Sequence, residues 1–357
     1  MLAIARHINY LIIGQGLAGS ALAWELVQRG NSVLVLDKPG NTRASSVAAG
    51  LFNPITGKFM TKAWKADVVF PVLEKFYSDA EKILNKNFLH LLPIYRPSIS
   101  DEERLQWKIR SESEEMSKFL LAFYDEPTFD QVNDPFGGID IAHSGYVNVG
   151  IWLESVRNYF FKNDLIAEEH FSEEELVIEE KGVRYKSITA DKIIFAGGLS
   201  DMQSRWFNWL PFKPLKGETL EVSLDDPAPR MFNRGAYLVP TERDNIYNAG
   251  ATYQHPPFIE SPSQAARQEL QLKLETLLAV PFKIIHQDWG IRPTTPDRRP
   301  FMGFHLKEKN VIIFNGLGTK GVSLAPYLAQ HLADWLEGKI ELSKEVNIFR
   351  FKALYSG

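Results

Sequence analysis

The sequence predicts an α/β fold with a mainly parallel central sheet assembled from distant stretches of the chain. Three observations carry this. A Gly-x-Gly-x-x-Gly turn joins an apolar strand to a helix near the start, a second strand ends in Ala196-Gly197-Gly198, and a second glycine turn, Gly316 to Gly321, follows a strand near the C-terminus. With 357 residues the chain is long for one hydrophobic core, so two lobes are expected.

The elements follow in order. Tyr10 to Ile13 form a short continuous apolar run, as in a strand buried on both faces. Gly14-Gln15-Gly16-Leu17-Ala18-Gly19 opens a helix whose Ala21, Leu22 and Leu26 keep helical spacing and which Gly30 stops. "SVLVLD" is the next strand and ends in Asp37. In such a Rossmann-like unit the first glycine permits the tight turn, the second lets the backbone approach a pyrophosphate, and the third lets helix and strand pack. The helix N-terminus offers free N–H groups to the phosphates. Asp37 comes about 20 residues after the turn, where a carboxylate meets ribose hydroxyls. The motif leaves NAD and FAD both open.

"FPVLEKFYSDAEKILN" and "SDEERLQWKIRSESEEMSKFLLAFY" read as amphipathic helices. "EELVIEEKGVRYKSITADKII" reads as a β-meander turning at Lys181-Gly182 and leading to Ala196-Gly197, where small residues let backbone pass close to a ligand. "GETLEV" to "NAGATY" reads as strands separated by Asp-Pro and Arg-Asp-Asn turns. "GIRPTTPDRRP" (290–300) reads as a stiff, proline-fixed loop that presents Arg292 as an anion clamp, with Asp297 pairing Arg298 or Arg299. Too little chain follows Gly316 for a second dinucleotide unit. The last turn is read as aiming a helix N-terminus and Lys320 at one end of the same cofactor, where they would stabilise negative charge; the alternative is a helix cap with a surface lysine.

Composition narrows the class. A net charge of −4 gives no broad basic field, so nucleic acid is not expected as a partner. Cysteine is absent, which excludes disulfides, thiolate metal sites and a thiol nucleophile. No two of the eight histidines lie three to five residues apart, and no metal site is expected. No apolar run reaches the roughly 18 residues of a membrane span. "MLAIARHINYLIIG" is read as a buried strand rather than a signal peptide, and a cytoplasmic location is expected.

Taken in register, "GQGLAGSALAWEL", "ASSVAAGLFNP", "ADKIIFAGG", "KGETLEV", "YLVP", "GATY", "GIRPTTPDRRP" and "GLGTKGVSLAP" resemble the FAD-dependent oxidoreductases of the D-amino-acid oxidase family, glycine oxidase above all. They are also similar to the flavin domain of the bifunctional enzyme that processes a carboxymethylaminomethyl group on tRNA wobble uridine. The resemblance implies non-covalently bound FAD. Gly14, Gly16, Leu17, Ala18 and Gly19 would meet the pyrophosphate, with Asp37 and Lys38 beside the adenosine ribose. Ala44, Ser45 and Ser46 would line the pyrophosphate and ribityl chain, and Phe171, Ala196 and Gly197 the adenosine side. Gly316, Gly318, Thr319, Lys320 and Gly321 would meet the flavin end. Arg292 and Tyr237 would grip a substrate carboxylate, and Tyr253 would lie over the flavin face. Glycine oxidase carries an arginine where Thr319 stands here; Thr319-Lys320 is closer to the Ser-Arg of the tRNA enzyme.

The resemblance further implies a discontinuous FAD domain (1–65, 141–205 and 286–357) interleaved with an α+β substrate domain (66–140 and 206–285) whose sheet is mostly antiparallel. The activity implied is oxidation of the C–N bond of an amino acid or N-substituted glycine-like amine, by hydride transfer to flavin N5 and hydrolysis of the imine. Oxygen or another electron acceptor would follow. A dehydrogenase serving a quinone or protein acceptor, and a tRNA-modifying flavoprotein, are the alternatives.

Overall fold

The computed structural model describes residues 6–38, 44–57 and 59–356. The first five residues of the apolar start lie outside them.

The expected central sheet is present and draws on three stretches of chain. Its order is Ile166–Ala167, Val33–Leu36, Arg6–Ile13, Ile188–Phe195, Gly182–Tyr185, Leu176–Glu179, with Val311–Asn315 also paired to Ile188–Phe195 and Phe301–Phe304 beyond it. The central pairings are parallel. The meander turns at Lys181-Gly182 as expected, with Glu179 opposite Gly182. Register explains why distant motifs meet. Ile13 lies opposite both Leu36 and Phe195, and Phe195 opposite Ile313. The Gly14 turn, Asp37, Ala196-Gly197 and the Gly316 turn therefore all leave the carboxyl ends of neighbouring parallel strands, where ligands bind in such sheets.

The second sheet has the order Phe282–Thr294, Lys213–Leu224, Ile246–Gly250, Ala236–Pro240, Met231–Arg234, Ile94–Pro97, Gly138–Ile141, Leu120–Tyr124. It is antiparallel except where Met231–Arg234 runs parallel to Ile94–Pro97. One face packs Leu220, Val222, Leu238 and Ala249 against Leu270, Leu274 and Leu277 of the helix Gln264–Leu277. Alternation of side chains leaves Gly217, Thr219 and Glu221 on the opposite face, with their register partners Gly290, Asp288 and His286.

Three expectations change. The second expected amphipathic helix is a helix only over Asp101–Ser111, with a short turn Glu114–Ser117; its end, Leu120–Tyr124, is an edge strand paired to Gly138–Ile141. Ser100 caps the helix by accepting the Glu103 N–H, and the Glu103 carboxylate reaches back to the N–H of Ile99, the residue before the cap. Beyond it, sheet pairing overrides the helical spacing of "FLLAFY". Arg292 lies not on a loop but in the last turn of the strand Phe282–Thr294, opposite Leu215, with Pro293 opposite Pro214. Prolines are tolerated there because the strand is at the sheet edge and ends next to them. Asp297 pairs with Arg350 at 2.9 Å, while Arg299 gives it only a backbone N–H.

The helix Ala66–Leu84 packs its Val69, Phe70, Leu73 and Phe76 into the cluster formed by the helices Leu17–Gln28, Val149–Lys162 and Gly321–Leu336. Tyr77 donates to the Val322 carbonyl at 3.1 Å. Residues 66–84 thus share a core with the nucleotide-type unit, and the boundary expected at 286 falls inside the strand Phe282–Thr294.

Candidate active site

The first glycine turn is shaped by two different demands. A Cβ on Gly14 (φ +98°) would lie 2.8 Å from the Ala196 carbonyl oxygen, and one on Gly19 would lie 1.9 Å from the Gly14 oxygen. Both are glycines because the chain packs on itself there. Gly16 is different: a Cβ there would meet only the Ser45 hydroxyl, at 3.4 Å. Among the described residues nothing else approaches that position, so the helix N-terminus at Gly16 is left open. Gly16 is the N-cap and no side chain caps the helix; the Leu17 N–H reaches the Ser45 hydroxyl at 3.3 Å. Ala18 follows in the same first turn.

Asp37 is buried and braces this turn. One oxygen accepts the Gln15 N–H at 2.9 Å and the other accepts from Arg157 at 3.0 Å. Arg157 also bonds the Gln15 side chain at 2.8 Å and Glu168 at 2.6 Å. Lys38 is exposed just beyond. Phe171 packs its ring on Tyr185 and Phe195 at 5.1 and 5.6 Å between centroids.

The two later turns are tied together by a buried acid. Asp201, 2 % exposed, accepts the Gly197 N–H at 3.0 Å and the Asn315 amide at 2.7 Å. Asn315 also bonds the Gly198 carbonyl and receives the Gly316 N–H. Burial pushes the Asp201 carboxyl up to about 7. Unfolded, it ionises near 4. Between those values the folded chain holds the extra proton, so this group makes stability fall as pH rises across the window and leaves it flat above. Asp201→Asn is expected to remove that slope, read as Tm against pH; an unchanged slope would place the titration elsewhere.

On the second sheet, Arg292 lies flat over Gly217. A Cβ on Gly217 would fall 2.1 Å from both terminal nitrogens of the guanidinium. Tyr237 lies over Gly250 in the same way, its hydroxyl 2.7 Å from where that Cβ would be. Among the described residues no carboxylate is within ion-pair distance of Arg292; its one protein bond is a long one, 3.5 Å, to the Thr252 carbonyl. Burial pushes the Tyr237 phenol up, against the pull of Arg292, so it stays protonated as a donor. Tyr253 is 63 % exposed, with its ring 5.5 Å from the guanidinium.

Two close approaches join the halves, and a third lies within the nucleotide-type half. A Cβ on Gly290 would meet Val47 at 2.6 Å and Ala44 at 3.3 Å, seating the 44–47 loop, with exposed Ser46, on the strand of Arg292. The last glycine turn rests on the residues after Arg292: Gly316 against Thr295 and Gly318 against Thr294. Gly321 lies against Leu17, which brings the two helix N-termini side by side. Thr319 and Lys320 are exposed at this junction. Surrounding protein, and then Arg299 and Arg298, lower the Lys320 pKa.

The sequence profile of FAD-dependent oxidoreductases, the D-amino-acid oxidase type, matches residues 9–335. The chain belongs to this family. It is 23 % identical to glycine oxidase of Bacillus subtilis, over 96 % of this chain and 95 % of that protein. It is also 23 % identical to the bifunctional tRNA 5-methylaminomethyl-2-thiouridine biosynthesis protein MnmC of Caulobacter vibrioides, over 90 % of this chain but only 53 % of that protein. Among solved structures, glycine oxidase from Bacillus cereus superposes with a TM-score of 0.77 at 22 % identity, covering 94 % of this chain and 99 % of the other. Iminodiacetate oxidase from Chelativorans gives 0.77 at 20 %, covering 95 % and 98 %.

The residues present fit FAD. The open position at Gly16, on a helix N-terminus, suits an anionic group, and the helix N-terminus at Gly321 stands beside it. The sequence did not single out Arg157, Asp201 and Asn315, which brace the turns, or Gly217 and Gly250, which make room for Arg292 and Tyr237. Gly217 was visible inside "KGETLEV" and Gly250 inside "NAGATY", yet only the strand register shows what each lies under.

Proposed function

We propose that this FAD-dependent oxidoreductase oxidises the C–N bond of a small amine bearing a carboxylate, an amino acid or N-substituted glycine. The observation that carries the reading is Arg292, spread over Gly217 without a carboxylate partner among the described residues, beside the protonated Tyr237. A guanidinium offers two parallel donors to a carboxylate, and the Tyr237 hydroxyl adds a third. Bound FAD supplies the acceptor for the hydride that leaves the C–N carbon, after which water releases the amine from the imine. Arg292 and Tyr237 fix the carbon's position, which makes the step nearly unimolecular.

In this reading Gly14, Gly16, Leu17, Ala18 and Gly19 hold the pyrophosphate. Asp37, at the end of the second strand and bonded to the glycine turn through the Gln15 N–H, stands beside the ribose. Lys38, Ala44, Ser45, Ser46, Phe171, Ala196 and Gly197 line the nucleotide side, and Gly316, Gly318, Thr319, Lys320 and Gly321 the flavin end. Tyr253 covers the pocket. The nucleotide-binding unit and the antiparallel unit form two interleaved domains in a cytoplasmic enzyme. A tRNA substrate is disfavoured: a cavity of about 210 Å³ on the same sheet face, one register step from Tyr237, is lined by Glu221 and Asp288 and, among the described residues, by no lysine or arginine.

The test is product formation. Glycine, N-alkyl glycines and both enantiomers of common amino acids should yield carbonyl product with oxygen or a dye as acceptor, while the corresponding amides should not. Equal turnover of acids and amides would remove the carboxylate clamp from the reading. FAD held without a covalent bond should appear in the supernatant after acid precipitation; colour in the pellet would contradict this. Lys320→Met should slow flavin reoxidation or lower its potential with little change in carboxylate affinity, since a cation at that end favours the reduced, anionic ring. If affinity alone falls, Lys320 is a substrate ligand.

A further inference from the structure

The segment "KGE", residues 216–218, holds more than the floor under Arg292. Gly217 faces the guanidinium, while Lys216 and Glu218 point to the opposite, helix-covered face, where both are 1 % exposed. Lys216 Nζ lies 2.8 Å from Glu218 Oε1, donates to the Ser261 carbonyl at 2.6 Å and stands 5.6 Å from the Trp289 ring centroid. Glu218 accepts the Ser263 N–H at 2.8 Å, the Ser263 hydroxyl at 2.8 Å and the Gln287 amide at 2.7 Å.

A charge pair on a face otherwise packed with Leu220 and Val222 is costly unless every donor and acceptor is used. Here the bonds converge on one segment. Ser261 and Ser263 are its far end, and Ser263 also caps the helix Gln264–Leu277. Its near end is held by bonds to the backbone of the same two residues: Gln254 exchanges both bonds with Lys216, the Thr252 N–H goes to the Glu218 carbonyl, and the Thr252 hydroxyl receives the Glu218 N–H. Between the pins lies an exposed arch over residues 255–260, apart from the half-buried Phe258. At the near pin, the Thr252 carbonyl meets Arg292 and the Tyr253 ring stands beside it.

We propose that Lys216 and Glu218 are positioning residues for the carboxylate clamp, acting through a strap, residues 252–263, that seats Thr252 and Tyr253 against Arg292. The proposal rests on the carboxylate reading of Arg292. The pair fixes the strap at both ends, so loosening either charge frees Tyr253 and the Thr252 carbonyl while Gly217 and the nucleotide turns stay in place.

The test uses the FAD-loaded enzyme and two readouts: hydrogen exchange of peptides spanning 252–263, and acetate affinity from the change in the visible flavin spectrum. In Lys216→Met the strap should exchange faster and the acetate Kd should rise roughly ten- to a hundredfold, as for misplaced groups in other sites, with FAD retention unchanged. Glu218→Gln, which keeps the shape and most of the hydrogen bonds but loses the charge, should shift both readouts in the same direction. If Lys216→Met does not fold, Lys216→Met/Glu218→Met, which leaves no lone buried charge, should show the same two changes. Faster exchange with unchanged acetate affinity overturns the positioning role, and unchanged exchange overturns the strap. Absence of any acetate response in the parent enzyme is the separate failure of the carboxylate reading, and the inference falls with it.

Discussion

Arg292→Ala should abolish carboxylate recognition while FAD stays bound. Arg292 contributes nothing to the nucleotide turns. Its guanidinium lies over Gly217 on the second sheet and, among the described residues, its polar contacts are one long bond to the Thr252 carbonyl and the Tyr253 ring. Its removal therefore leaves no protein carboxylate unpaired among the described residues, and the fold should tolerate it. The loss falls on the ligand: a desolvated two-pronged contact is worth on the order of 2–5 kcal/mol in apparent binding. Acetate should perturb the flavin spectrum of the parent and not of the variant. Gly217→Val is the geometric counterpart. Its new side chain would occupy the guanidinium's place, and the same loss of acetate response is expected with Arg292 still present. A variant that binds acetate with parental affinity would make Arg292 a structural residue.

Asp37→Ala should release FAD and also lower stability. The carboxylate ties the end of the second strand to the Gln15 N–H inside the glycine turn, and it holds Arg157. Its loss takes the acceptor from the Gln15 N–H and one carboxylate from Arg157, which keeps Glu168 and the Gln15 side chain. Hydrogen bonds to a charged group are worth roughly 1.5–3 kcal/mol, so a fall of that order in unfolding free energy is expected together with FAD lost on dialysis. Denaturant unfolding of the parent and variant, each stripped of FAD, separates the two effects. Unchanged stability with lost FAD would confine Asp37 to the ribose; retained FAD would remove it from the site.

The nucleotide half was legible because its signals are local. Gly14, Gly16, Gly19 and Asp37 stand at fixed spacing between two apolar runs, and the parallel register then aligns Ala196-Gly197 and the Gly316 turn with them. What was not legible depends on partners far apart in sequence. Asp201 meets Asn315, Asp37 meets Arg157, and Asp297 takes Arg350 instead of its neighbours. The proline-rich "GIRPTTPDRRP" reads as a loop because proline argues against a ladder, yet Arg292 ends an edge strand, where a missing N–H costs nothing. "FLLAFY" has helical spacing but is drawn into the sheet by Gly138–Ile141. In each case a tertiary pairing decided a local ambiguity.

The central claim, a carboxylate-bearing amine oxidised by bound FAD, is tested most directly by anaerobic bleaching of the flavin. Under exclusion of oxygen, one or more of glycine, N-alkyl glycines and amino acids should bleach the visible flavin band of the parent enzyme in a single turnover. Arg292→Ala, loaded with FAD to the same extent, should stay yellow with the same compound. Bleaching of parent and variant at equal rates, or by the amide as fast as by the acid, would contradict the account.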